Sequence, residues 1–249
     1  MDTLIGHTGF IGKNFSKRSS FNLYNSKNIH MLSEKQHNVI FCAAPSAEKW
    51  KINVSPEEDL NNINTILLNL KSSSFKKIVL FSTIDVYDNT VNFDESHEIL
   101  SCNHNYGKNR LYFEKEIKKF PNWIIIRLPG LFGNELKKNV IFDLLNDNIL
   151  GKINLNDRYQ WYFIDWLFND VQLIINSKNK IFNFFTEPVE NEIIINDFFP
   201  FHDKSFFIKS IPFKNYDLKT LNKQGGYFKT KQEVLEKLNL YIENEKSKK

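Results

Sequence analysis

The segment Gly6-His7-Thr8-Gly9-Phe10-Ile11-Gly12 follows a short apolar run, Thr3-Leu4-Ile5, and leads into a stretch from Phe10 to Lys17 that can start a helix. A glycine triplet between strand and helix gives each glycine a separate task. Gly6 makes the tight turn, Gly9 lets the backbone approach a pyrophosphate, and Gly12 lets the helix pack close to the strand. The phosphates then sit on the free N–H groups of the helix start, with Thr8, Phe10 and Ile11 completing the loop. With a strand before it and a helix after it, the triplet points to dinucleotide binding. His7 reads as a loop residue.

Working outward, short apolar runs alternate with helical stretches. Phe21 to Tyr24 and Val39 to Ala43 read as strands, and Asp59 to Leu70 carries apolar residues at helical spacing. Lys77 to Ser82 reads as a strand, Tyr106 to Lys119 as a helix, and Trp123 to Leu128 as a strand. Runs that are apolar throughout, without alternation, suit parallel strands covered on both faces. Strands alternating with helices imply right-handed crossovers and a doubly wound sheet. Beyond Pro129 the spacing predicts a helix over 138–148, an aromatic strand over 158–164 and a helix over 166–176. A late strand over 181–185 then returns to the sheet, and helices over 192–199 and 231–242 close the chain. The expected class is α/β, with a parallel sheet over residues 1–130 and a small lobe over 131–249 interleaved with it.

Composition narrows the function. The 249 residues are 41% hydrophobic and 25% charged, which excludes a disordered or fibrous chain. No apolar run reaches the about 18 residues that a membrane helix needs. The opening MDTLIGHTGF lacks a cationic segment followed by an apolar stretch, so no secretory signal is expected. Cys42 and Cys102, the two cysteines, are too few for a disulfide framework or a four-cysteine metal site, which suits a reduced, cytoplasmic protein. The 33 basic and 29 acidic residues nearly balance, so the lysines read as a solvated surface and no nucleic-acid partner is expected.

The loop spacing is GxxGxxG, not the GxGxxG of the plain Rossmann fingerprint. With Phe10-Ile11 it resembles the extended short-chain dehydrogenase/reductase superfamily of nucleotide-sugar epimerases, dehydratases and ketoreductases. The resemblance runs in order over about residues 1–190. Cys42-Ala43-Ala44 resembles the family's small-residue turn, Asn61 with Thr65 its asparagine-bearing helix, and Phe81 to Tyr87 its serine/threonine strand, with Ser82 beside the cofactor. Tyr106 to Arg110 resembles its YxxxK helix, and Arg127 to Gly133, including Leu128 and Pro129, its RxxxxxG turn. The fold so implied is Rossmann-like, with a C-terminal substrate lobe and a homodimer formed through the helices beginning near Asp59 and Tyr106.

The same resemblance assigns Tyr106 as acid/base in hydride transfer and Thr83 as hydrogen-bonding the substrate oxygen. Such a tyrosine works if a nearby cation lowers its pKa towards neutrality. The family lysine is Arg110 here, four residues on and therefore on the face of Tyr106, whereas Lys108 points elsewhere. A guanidinium supplies charge but does not readily hand on a proton. Redox chemistry and nucleotide binding without turnover both remain open on this point. After the second strand, Asn25-Ser26-Lys27 offers an amide, a hydroxyl and a lysine with no acid, which suits a 2′-phosphate and favours NADP(H), with NAD(H) as the alternative. For the substrate, Asn139 at a helix start, Arg158 and Trp161 match places where the family holds the nucleotide. A small non-nucleotide carbonyl is the alternative substrate. No histidine or cysteine cluster suggests a metal.

Overall fold

Unbroken apolar runs become the inner strands of a parallel sheet. The computed structural model describes residues 1–248. In chain order the regular elements are β1 (Thr3–Ile5), α1 (Phe10–Ser16), β2 (Asn22–Tyr24), β3 (Gln36–Cys42), α2 (Lys49–Val54), α3 (Pro56–Lys71), β4 (Ser74–Thr83), α4 (Asn105–Ile117) and β5 (Trp123–Leu128). They continue with β6 (Gly130–Phe132), α5 (Val140–Leu145), β7 (Arg158–Phe163), α6 (Leu167–Ile174), β8 (Ile181–Asn183), β9 (Pro188–Glu190), α7 (Asn191–Phe198) and α8 (Lys231–Lys246). Six strands form one sheet in the order β2-β1-β3-β4-β5-β8. The register is parallel from β2 to β5, for example Leu4 with Phe41 and Val79 with Ile124. The order reverses between β1 and β3, the switch point at which open α/β sheets bind ligands.

Side-chain alternation along the inner strands assigns the two faces. Ile40 and Cys42 of β3 and Ile78 and Leu80 of β4 pack with Ile63, Ile66, Leu67 and Leu70 of α3 and Phe113 and Ile117 of α4. Phe41 and Phe81 point the other way, onto Phe15 of α1, which also meets Phe168 of α6. Four apolar positions of α3 recur at the spacing of one helical face, and Pro56 at its start and Glu57, Glu58 and Asp59 in its first turn suit the helix N-terminus.

The chain divides into two compact units. The first comprises Met1–Asp88, His97–Leu128 and Leu167–Phe182; the second comprises Asn89–Ser96, Pro129–Trp166 and the chain from Asn183 onward. One division between the units lies between Leu128 and Pro129. Asn89–Ser96 departs from the first unit, and Leu167–Phe182, with α6 and most of β8, belongs to it, whereas the sequence pattern returns only the late strand over 181–185. The second unit has its own core, in which Phe132, Ile141, Leu144, Trp161, Val189, Ile194, Val234 and Leu238 are buried together. Its sheet has the order β6-β7-β9, with β9 antiparallel to β7. Glu95 pins the 89–96 excursion within this unit, accepting hydrogen bonds from Asn183 N, Thr220 Oγ1 and Leu221 N at 2.6–2.7 Å. A full capping box, Thr230 with Glu233, starts α8.

One ion pair joins α4 to the sheet. Glu114, 0% exposed, accepts from Ser82 Oγ of β4 at 2.6 Å, and from Arg127 Nε and Nη2 of β5 at 3.1 and 2.7 Å. Arg127 Nη1 donates to Tyr87 Oη at 2.8 Å. Burial opposes the Arg127 charge, but Glu114 and Tyr87 more than offset it and raise its pKa. Arg127→Met would leave the Glu114 carboxylate buried without its counter-ion. The expected loss is about 3–5 kcal/mol of unfolding free energy, read by urea denaturation. Replacing both partners, Glu114→Leu with Arg127→Met, is expected to cost clearly less than the single change.

Candidate functional site

The glycine loop is built as its spacing requires. Gly6 has φ +87°, a conformation that favours glycine, and a Cβ there would lie 2.7 Å from the Ala43 carbonyl oxygen. A Cβ on Gly12 would lie 2.2 Å from the Gly6 carbonyl oxygen, so this glycine sets the approach of α1 to β1. Gly9 differs. A Cβ there meets nothing closer than 3.6 Å, and Thr8 and Gly9 are exposed. Gly9 is the N-cap of α1, and no acidic residue lies in the first turn of that helix. The first N–H groups of a helix have no intrahelical acceptor, so the loop presents donors towards open space. A pyrophosphate fits such a cradle.

The turn after β2 is tied to this loop. Asn25 Nδ2 lies 3.1 Å from His7 Nε2, Asn25 N donates to Asn28 Oδ1, and Lys27 N donates to Asn25 Oδ1. Asn25 thus shapes the turn with its side chain, and Ser26 and Lys27 stay exposed. His7 is more than a loop residue, because it ties the glycine loop to the turn after β2.

At the end of β4, Thr83 caps a short 3-10 turn, Ile84–Val86, its hydroxyl accepting from Asp85 N at 3.1 Å. Tyr106 is 6% exposed on α4, whose N-cap is His104. Its backbone N donates to Asn53 Oδ1 of α2. Arg110 lies on the same face, its guanidinium carbon 4.6 Å from the Tyr106 ring centroid. This guanidinium is committed elsewhere as well: Nη1 and Nη2 donate to the two carboxylate oxygens of Asp59 at 2.9 and 3.0 Å, and Nη2 donates to Ser46 O at 2.8 Å. Burial pushes the Tyr106 phenol above its ordinary pKa; Arg110 lowers it, Asp85 raises it, and hydrogen bonds with Arg110 and Thr83 lower it. The net direction is upward. The sequence leads one to expect a tyrosine drawn towards neutrality by its cation, but burial outweighs the cation and the phenol stays protonated.

Several predicted contacts serve the scaffold instead. Ser82 Oγ is turned inward onto Glu114. Cys42 is in the core, where burial pushes its thiol up to about 12; Leu128 is buried likewise, and Pro129 is buried beside it. Asn61 is exposed on α3, its carbonyl taking the Thr65 hydroxyl. In the second unit, Asn139 caps α5: Oδ1 accepts from Phe142 N and Nδ2 donates to Leu131 O. Trp161 is 3% exposed and packs in the core against Gly130, where a Cβ would lie 2.8 Å from its ring. It presents no surface to a ligand, because the aromatic strand is an inner strand. Arg158 is half-buried, with Nε 3.2 Å from Glu190.

The residues missed from sequence are Asp59, Asp85, Lys49 and His104. Asp59 stands four residues before Ile63 on the buried stripe of α3, and an acid on an apolar stripe was the available signal. Nothing local marks the other three.

No protein-family model matches the chain, and no curated protein does. Solved structures do. UDP-glucose 4-epimerase of Thermotoga maritima, with UDP-glucose, is 16% identical with a TM-score of 0.77 over 100% of this chain and 99% of that one. A dTDP-4-dehydrorhamnose reductase of Yersinia enterocolitica is 14% identical with a TM-score of 0.73 over 97% and 98%. TunA, an NAD-dependent NDP-hexosamine 5,6-dehydratase, is 14% identical with a TM-score of 0.76 over 98% and 97%. The chain therefore has the fold of these nucleotide-sugar enzymes along its whole described length.

The two glycines separate loop stability from loop openness. Gly12→Ala is expected to destabilise the protein severely, since backbone must shift to admit the methyl group. Gly9→Ala is expected to leave the thermal midpoint unchanged. Differential scanning calorimetry of the two variants checks this.

Proposed function

We propose that this chain is an NAD(P)-dependent oxidoreductase or epimerase that transfers a hydride at a carbinol or carbonyl carbon of a nucleotide-linked sugar, acting in the cytoplasm. The observation that carries this reading is the meeting of Thr83 and Tyr106 at the end of β4, in the same unit and sheet as an open glycine loop at the end of β1. When bound, the nicotinamide supplies or accepts the hydride. The loop Gly6 to Gly12 would hold its pyrophosphate. Asn25, Ser26 and Lys27 would hold the adenosine ribose, and the Ala43-Ala44 turn would pack beside it.

Tyr106 handles the proton. Its phenol, protonated in the free chain, donates from Oη to a carbonyl oxygen, and the phenolate takes a proton from a carbinol in the reverse sense. Thr83 holds the oxygen being protonated. Arg110 keeps its charge throughout and favours the phenolate electrostatically without relaying a proton. In the second unit, Arg158 carries the charge suited to a substrate phosphate, by exchange from Glu190. A homodimer through α3 and α4 belongs to the same reading, and Leu68, 67% exposed on α3, suits it.

With Ser26 and Lys27 facing a 2′-phosphate, NADPH is expected to bind at least about tenfold more tightly than NADH, about 1.4 kcal/mol. Ser26→Asp with Lys27→Ala reverses that order, and Gly9→Val removes binding; fluorescence titration reads all three. Equal affinities in the unmodified protein would defeat the NADP(H) preference. Turnover is tested with a panel of nucleotide keto-sugars. Tyr106→Phe is expected to lower kcat on the order of a hundredfold or more while NADPH affinity changes little. Full activity in that variant would exclude Tyr106 as the acid/base.

A further inference from the structure

Asp85 is a carboxylate at the reaction centre that the proposed chemistry does not use. Its side chain is 15% exposed. One oxygen, Oδ1, takes the Lys49 ammonium at 2.5 Å and faces His104 Nε2 at 3.7 Å. The other, Oδ2, lies 3.3 Å from Thr83 Oγ1, while Asp85 N donates back to that same hydroxyl oxygen. His104 Nδ1 accepts from Gly107 N at 3.0 Å, which leaves the ring hydrogen on Nε2, the nitrogen facing Asp85. The turn and α4 are in direct contact here, since a Cβ on Gly107 would lie 2.3 Å from the Asp85 carbonyl oxygen.

These contacts have two consequences. A threonine hydroxyl has one hydrogen. In the free chain that hydrogen is directed at Asp85 Oδ2, and Thr83 donates to another oxygen only by turning it away from the carboxylate. The second consequence is electrostatic. Tyr106 faces Arg110 from its own helix, itself paired with Asp59 of α3, and it faces Asp85 from the 3-10 turn. Lys49, from α2, pairs with the one acid among these that opposes ionisation of the phenol.

We propose that Asp85 and Lys49 are positioning residues of the reaction centre: Asp85 takes the Thr83 hydroxyl hydrogen, and Lys49, as its counter-ion, sets how much negative charge Tyr106 faces. The cation that the helix of Tyr106 lacks as a lysine is thus supplied in part from α2, through Asp85. Burial works against the Asp85 charge, but the His104 hydrogen bond and the Lys49 charge hold its pKa below the ordinary carboxylate value, so the carboxylate is ionised at neutral pH. The assignment rests on the hydride-transfer reading only for the task it gives Tyr106, because the geometry belongs to the free chain.

The test is a titration of the full chain without cofactor or substrate. The nine tyrosines are replaced biosynthetically by fluorotyrosine, whose phenol ionises at lower pH, and followed by fluorine NMR. The Tyr106 resonance is identified by its loss in Tyr106→Phe. Asp85→Asn is expected to lower the Tyr106 midpoint by about one pH unit. Lys49→Met is expected to raise it, and to change nothing further once Asp85→Asn is present. An Asp85→Asn midpoint that stays or rises overturns the proposal, and so does a Lys49→Met shift that survives in the Asp85→Asn background. If Asp85→Asn does not fold, Lys49→Met decides alone, its side chain being 41% exposed, and an unchanged midpoint overturns the proposal. Parallel NADPH titration keeps the two readings apart: absence of binding in the unmodified protein removes the proposed function, while the phenol shifts alone judge the charge pair.

Discussion

The buried pair between Glu114 and Arg127 determines where the helix of Tyr106 lies. Tyr106, Arg110 and Glu114 are spaced by four, so all three fall on one face of α4, the face pressed to the sheet. Each meets a separate partner: Tyr106 meets Thr83, Arg110 meets Asp59 of α3, and Glu114 spans Ser82 of β4 and Arg127 of β5. A buried carboxylate with a bidentate cation tolerates little displacement, because moving it exposes a charge to a medium that cannot solvate it. Ser82 and Thr83 are consecutive on β4 and point to opposite sides of the chain. The strand therefore gives its inward hydroxyl to the scaffold and its next one to the site.

Arginine at position 110 fits this arrangement better than lysine would. A planar fork satisfies both oxygens of Asp59 and the Ser46 carbonyl at once, and its face lies over the Tyr106 ring. Lysine offers a single point charge and cannot make all three contacts together. The arginine thus fastens α4 to α3 and to the turn before α2, at the expense of a dissociable proton near the phenol. That proton-bearing cation, Lys49, arrives from α2 and reaches Tyr106 through Asp85. Anchoring of α4 and the balance of charge beside the phenol are divided here between two side chains on different helices, Arg110 and Lys49.

The second unit uses amides where the first uses ion pairs. Gln160, 1% exposed, bridges Thr186 O, Leu218 O and Leu218 N; Asn154, Asn183 and Asn191 also lie buried. Such side chains satisfy the irregular backbone of 183–230, which has little regular secondary structure to do so. Asn139 belongs to this group, its amide spent on capping α5 and on the Leu131 carbonyl.

How much of this was legible in sequence follows from the range of the forces involved. The parallel sheet, its helices and the glycine loop rest on periodicity and on residues a few positions apart, and Thr3 to Gly12 carries all of that locally. The strands β6 and β9 and the helix α2 are too short for a periodic signal, and they exist because neighbouring strands and helices hold them. Tyr106 and Thr83 stand in recognisable motifs, so their meeting was legible as well. Their electrostatic setting was not: Asp59, Lys49 and Asp85 stand 47, 57 and 21 positions before Tyr106, each on a different element. By itself the sequence determined the fold class, the loop and the motifs that carry Thr83 and Tyr106, because those depend on local spacing and burial pattern. Only the tertiary structure decided which charges surround the phenol, because Coulomb interactions and desolvation act through space, between side chains that the chain order keeps far apart.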